Sequence, residues 1–160
     1  MKSLIIYFSR AGENYEVGYI DKGNTEVVAE IVKELTGSDI FKVEPVVPYS
    51  KEYLKCLEEA QDRIGNAPVK ELPDITNYEL IYIMTPIYWN TFAPEIETVL
   101  KTVNFVGKTI RIVTTHEGSG IGEVLNDIKK LCMGANIDSN TLSIYGSKVY
   151  ESREVIEKWI

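Results

Sequence analysis

Three stretches of the chain are almost continuously apolar: residues 3–8, 80–85 and 109–115. Short runs of this kind, rich in Ile, Val and Tyr, are those of strands covered on both faces, as in a parallel sheet. Between them, apolar groups return at helical spacing. Val27, Val28, Ile31, Val32 and Leu35 predict a helix over 24–36, and Gly37 stops it. Phe41 and Val43 face away from Lys42 in 39–44, which predicts an edge strand. Residues 50–62 are charged and helix-favouring, between loop signals at Pro45/Pro48 and Gly65–Pro68. Ile96, Val99, Leu100 and Val103 predict a helix after Pro94. The cleanest helical stripe is Ile121, Val124, Leu125, Ile128, Leu131 and Cys132, ended by Gly134. A weaker strand at 141–146 and a short helix around Val155, Ile156 and Trp159 complete the chain.

Strand and helix thus alternate five times. That pattern predicts an α/β, doubly wound, five-stranded parallel sheet with helices on both faces. Right-handed crossovers and one reversal of direction give strand order 2-1-3-4-5. The loops after strands one, three and four then meet at the carboxyl edge, at the switch point where such sheets bind ligands. The 160 residues suit a single domain. No repeat or linker divides them, and the least regular stretch is 63–79.

The net charge of −7 argues against nucleic acid, whose phosphates need a basic face, and permits a basic protein partner. Cys56 and Cys132 lack C-x-x-C spacing and read as reduced thiols, and one histidine argues against a His-rich metal site. The first apolar run is too short for a membrane span or a signal peptide, so a cytoplasmic protein with no membrane partner is expected.

The three loops carry the candidate chemistry. In the first, Ser9 and Thr25 offer hydroxyls beside Arg10, while Gly23 and Asn24 let backbone N–H groups approach closely. Asn24 is placed as a helix N-cap, and a helix N-terminus favours an anion. The same residues also suit a plain turn and cap. The second loop, Thr85-Pro86-Ile87-Tyr88-Trp89-Asn90, sets two aromatics side by side after a strand. Neighbouring side chains point different ways, so one can stack on a flat ring while the other packs inward. The third loop, Thr115-His116-Glu117-Gly118-Ser119-Gly120, offers N–H groups and the lone histidine to a ring edge. His116 equally suits a local backbone cap. Gly118-Ser119-Gly120 is not a dinucleotide fingerprint, because Glu123 stands where the third small residue belongs. No G-K-[ST] of a P-loop occurs. Together the loops suggest a phosphorylated, flat, aromatic ligand, and flavin mononucleotide (FMN) fits best.

These residues resemble the flavodoxin-like proteins, within them a compact bacterial group with Y-F-S-R, G-N-T, P-I-x-W and H-x-G-S-G elements. Here they stand as Tyr7-Phe8-Ser9-Arg10, Gly23-Asn24-Thr25, Pro86-Ile87-Tyr88-Trp89 and His116-Glu117-Gly118-Ser119-Gly120. The stretch Asp127–Cys132 is also similar, so the likeness runs over nearly the whole chain. The resemblance implies non-covalent FMN and redox work. It puts the phosphate on Ser9, Asn24 and Thr25, the ring and ribityl chain on Pro86 to Asn90, and the far ring edge on His116 to Gly120. One departure stands out. The family's tight phosphate turn is interrupted by residues 13–22, whose Glu13, Glu16 and Asp21 suit a phosphate poorly. That segment must loop outward, where Tyr15 and Tyr19 can cover part of the cofactor.

The leading expectation is an electron-transfer protein with a redox protein partner or a small-molecule acceptor, needing no side-chain nucleophile. The alternative is an NAD(P)H-dependent FMN or quinone reductase, with a second pocket formed by the inserted loop, residues 45–53 and Tyr88/Trp89. A signalling receiver domain is excluded, since Ser9-Arg10 and Thr85 stand where its acids belong. A flavin-free structural domain is the remaining rival.

Overall fold

The computed structural model describes residues 2–14 and 17–160, so Tyr15 and Glu16 lie outside the described residues. The three apolar runs form β1 (Ser3–Tyr7), β5 (Leu80–Pro86) and β6 (Thr109–His116). They lie side by side and parallel, with β4 (Asp39–Lys42) outside β1. The fifth position is divided. β7 (Asn136–Ile137) and β8 (Leu142–Tyr145) both pair with β6, and residues 138–141 bulge between them. With that division counted as one position, the order is the expected 2-1-3-4-5.

Alternation along each strand sorts the core into two layers. Leu4, Ile6, Phe8, Ile81, Ile83, Ile110 and Ile112 face α3 (Pro94–Thr102) and α4 (Val124–Leu131). Ile5, Tyr7, Tyr82, Met84 and Val113 face α1 (Asn24–Thr36) and α5 (Arg153–Trp159). Gly37 ends α1 in the left-handed conformation, its N–H on the Lys33 carbonyl. The stripe expected to start α4 at Ile121 starts later, because Gly120 and Gly122 hold φ of 65° and 52°, outside helical geometry.

Two features extend the expected plan. The inserted segment forms a small antiparallel hairpin, β2 (Gly12–Asn14) with β3 (Gly18–Ile20). The charged 50–62 stretch folds as α2 (Tyr53–Asp62) and packs beside that hairpin. No helix among the described residues is long and apolar enough to cross a membrane.

The C-terminal end of α2 is anchored by charge. Arg63 pairs with Glu95 at 3.5 Å, and the Glu95 side chain has no solvent exposure. Tyr49 donates its hydroxyl to Glu95 Oε1 at 2.8 Å, while the Arg63 guanidinium lies 3.9 Å from the Tyr49 ring centre. Burial pushes the Glu95 carboxyl up, against the pull of these two partners. Replacing Arg63 with Ala strands that carboxyl, so denaturant unfolding of Arg63→Ala is expected to show a loss of about 3 kcal/mol. Glu95→Gln keeps an acceptor for Tyr49 and is expected to lose less.

Candidate functional site

The carboxyl ends of β1, β5 and β6 open into one cleft of about 310 Å³. From the first loop it is lined by Ser9, Arg10, Asn24 and Thr25. Pro86, Ile87 and Tyr88 come from the second, and Thr115, His116, Glu117 and Ser119 from the third. Gly23, Thr85, Trp89, Asn90, Gly118 and Gly120 do not line it.

The first loop closes through Gly23. The chain leaves β1 at Ser9, runs out through the hairpin, and returns so that Gly23 packs on its own departure point. A Cβ at Gly23 would lie 2.0 Å from Ser9 Oγ and 2.8 Å from the Arg10 nitrogen. This contact sets the start of α1. Gly23, not Asn24, is the N-cap residue, and its lack of a side-chain oxygen is made good from a distance. Ser9 Oγ accepts the Glu26 N–H at 3.0 Å, while Asn24 becomes the first helical residue. Thr25 Oγ1 is 2.8 Å from Thr115 Oγ1, a buried bond that fixes α1 against β6.

Arg10 has a positioning part. Its Nε and Nη2 donate to the Ser50 carbonyl at 3.1 and 2.8 Å, and Nη1 donates to the Glu13 carbonyl. The Glu13 N–H reaches the Lys51 carbonyl at 2.7 Å, and Glu13 Oε1 accepts the Tyr53 N–H at 2.9 Å. Glu13 therefore turns away from the cleft and meets the N-terminus of α2, where a carboxylate is stabilised. Tyr19 stands exposed on the hairpin; Tyr15 is outside the described residues.

In the second loop the two aromatics separate. Tyr88 packs edge-on against Phe8 and Tyr49, at 5.9 Å from each. Trp89 and Asn90, with φ of 50° and 68°, form a two-residue turn closed by Tyr88 and Thr91. Positive φ at both central residues is the geometry of a type I′ turn, and a bulky residue rarely adopts it. Trp89 is half exposed, and its indole N–H donates to the Leu57 carbonyl of α2 at 3.0 Å. Thr85 is buried below, donating to the Pro86 carbonyl and accepting the Ala93 N–H.

In the third loop His116 Nδ1 accepts the Gly118 N–H at 2.9 Å. A neutral ring in that arrangement carries its proton on Nε2. The ring lies 4.5 Å from that of Tyr145, and burial lowers its proton affinity. The cationic His116 is therefore disfavoured. Gly120 gives its carbonyl to Thr114 Oγ1, and the Asn90 carbonyl accepts the Glu123 N–H, which ties the second loop to the third.

The remaining wall is α2, which sequence reasoning did not assign to the site. Tyr53, Cys56, Leu57 and Ala60 line the cleft, with Asn14 of the hairpin. Their spacing is i, i+3, i+4, i+7, one helix face, and this was the available signal. Cys56 is a free thiol whose proton is held more tightly by burial, which makes it a poor nucleophile. Of the described lining residues, Arg10 and Glu117 alone carry full charges.

The sequence model of a family described as flavodoxin matches residues 2–160. Among solved structures, a Lactobacillus acidophilus flavoprotein in complex with FMN aligns at 22% identity with a TM-score of 0.66, covering 94% of this chain and 97% of that one. A Bacteroides uniformis protein assigned to the flavoproteins aligns at 23% identity and a TM-score of 0.74, over 99% and 96% of the two chains. A Streptococcus pneumoniae flavodoxin aligns at 18% and 0.54, over 99% and 94%. At these identities the likeness is one of fold. None of the curated proteins matches the chain.

His116 is the single histidine, so its imidazole signals are unambiguous in an NMR titration. Its midpoint is expected below the ordinary value of about 6.5. The unfolded chain then binds the proton more tightly than the folded one. The neutral ring's contribution to stability is complete above the ordinary value and declines as pH falls from there through the folded midpoint. His116→Asn is expected to flatten that part of the stability–pH curve.

Proposed function

The chain belongs to the flavodoxin family, and from that premise we propose that it binds FMN non-covalently at the carboxyl edge of its sheet and serves as an electron carrier. The observation that supports this is the return of Gly23 onto Ser9, which brings the start of α1 back to the end of β1 across a ten-residue excursion. The donor set fits the group. Ser9, Asn24 and the first N–H groups of α1 supply neutral hydrogen-bonding partners for a phosphate. Pro86 and Ile87 on one side and His116 and Ser119 on the other would flank a flat ring, with the α2 stripe as the third side.

Bound FMN would supply one- or two-electron redox chemistry. The chain's share is to hold, orient and tune. Neutral His116, with Nε2–H as its donor, can serve a ring carbonyl without adding charge. The net charge of −7 opposes added electrons, an effect confined to about 8 Å by physiological salt. The same charge suits a basic redox partner.

The carrier reading is favoured over a reductase by how the parts expected to form a second pocket are spent. Tyr88 lies in an aromatic cluster, Trp89 bonds to α2, and the hairpin is pinned to Ser50 and Lys51. Stepwise anaerobic reduction of the FMN-loaded protein, followed by visible absorbance, tests this. A persistent one-electron form is expected; direct passage to the two-electron form with rapid NAD(P)H oxidation would establish the reductase instead.

Two sets of variants probe the site. Gly23→Ala drives a methyl into Ser9 Oγ and is expected to weaken FMN binding about tenfold or more, the loss of one hydrogen bond to a charged group. Tyr88→Ala removes a partly buried aromatic packed on Phe8 and Tyr49 and is expected to cost about 3 kcal/mol of stability. Trp89→Ala removes the donor to the Leu57 carbonyl and is expected to weaken FMN by loosening the α2 wall; equal FMN affinity in a binding titration would make that contact dispensable to the site.

A further inference from the structure

The anion corner contains an anion of its own. Glu117 reaches from the third loop to the start of α1, where its Oε1 is buried. The niche exists because residue 146 is glycine. A Cβ there would fall 1.9 Å from Glu117 Oε1 and 2.3 Å from Asn24 Nδ2, so both polar atoms occupy the space a side chain at 146 would take. Asn24 is the first residue of α1 and, like Glu117, lines the cleft. A carboxylate held at that point gains from the partial positive charge of the helix N-terminus.

Among the described lining residues Arg10 is the one positively charged group, and three of its N–H groups are directed at the Ser50 and Glu13 carbonyls. The other groups of the phosphate corner are hydroxyls, an amide and backbone. A phosphate arriving beside the Glu117 carboxylate meets like charge in a partly desolvated place, where repulsion over a few ångströms is several times that in water.

Building on the FMN reading, we infer that Glu117 is an affinity-setting residue: its carboxylate stands in for the cofactor phosphate at Asn24 and has to yield that place when the phosphate binds. The inference distinguishes the two ends of the cofactor. Charge at residue 117 acts on the phosphate and leaves the ring contacts, made by Pro86, Ile87 and the His116 ring, unaffected.

The experiment compares wild type with Glu117→Gln in titrations with FMN and with riboflavin, which has the same ring and lacks the phosphate. Glu117→Gln keeps the shape and removes the charge. It is expected to tighten FMN on the order of tenfold and to leave riboflavin unchanged. Inorganic phosphate is expected to raise the melting temperature of cofactor-free Glu117→Gln more than that of cofactor-free wild type. Unchanged FMN affinity, or equal tightening of FMN and riboflavin, overturns the inference while the FMN reading stands. A wild type that binds neither flavin overturns both. Glu117→Ala provides a second test, since it also vacates the niche: weaker FMN binding in both variants would make Glu117 a supporting residue of the corner.

Discussion

The contact between Gly23 and the backbone of Ser9 and Arg10 is the constraint on which the rest of the site depends. A parallel sheet delivers its strand ends to one edge, but an anion corner there needs the first helix to begin close to the end of the first strand. In this chain a hairpin intervenes. Only a residue without a side chain can return near enough, since a Cβ would meet Ser9 Oγ at 2.0 Å. Once that approach is made, the Ser9 hydroxyl caps α1, and Thr25 falls against Thr115 at 2.8 Å. The first and third loops are thereby fixed relative to each other by the placement of one helix.

The hairpin is more than a detour. Its base is held by Arg10, whose guanidinium is largely buried and bonded to the carbonyls of Ser50 and Glu13. Burying a guanidinium is tolerable when its N–H groups are met, and here the acceptors belong to the two segments that must be joined. Glu13 in turn meets the N-terminus of α2. The far end of that helix is held by Arg63 on Glu95, and its middle by Trp89 on Leu57. The cleft wall is therefore secured at three points by polar contacts, each made by a residue of another segment or to one.

The strands and their order were legible because two-sided burial leaves three continuous apolar runs, and these with two weaker strands, joined by helices, admit few topologies. The three loops were legible because they follow those runs directly. Other parts were hidden for physical reasons. The hairpin strands Gly12–Asn14 and Gly18–Ile20 have no apolar alternation; their pairing is supported by the contact with Lys51, which no local pattern records. The fifth strand is split because Asp138, Ser139 and Asn140 form a local turn, with Asp138 Oδ1 accepting the Asn140 N–H. The α2 stripe of Tyr53, Cys56, Leu57 and Ala60 was obscured by the charges around it and by Leu54, which points to solvent. Of the two adjacent aromatics, either of which could have packed inward, Tyr88 does so, and the Trp89 indole N–H meets α2 from a left-handed turn. A propensity scan sees residue types; these outcomes depend on which distant backbone carbonyl needs a donor.

The central claim is that one cofactor meets all three loops at once. Amide chemical-shift mapping of the 15N-labelled chain during addition of FMN tests it most directly. The account predicts that the largest changes cluster at residues 9–11, 23–25, 86–90 and 115–120, with the α2 face following. Saturable binding with changes confined elsewhere, or no changes at all, would contradict it.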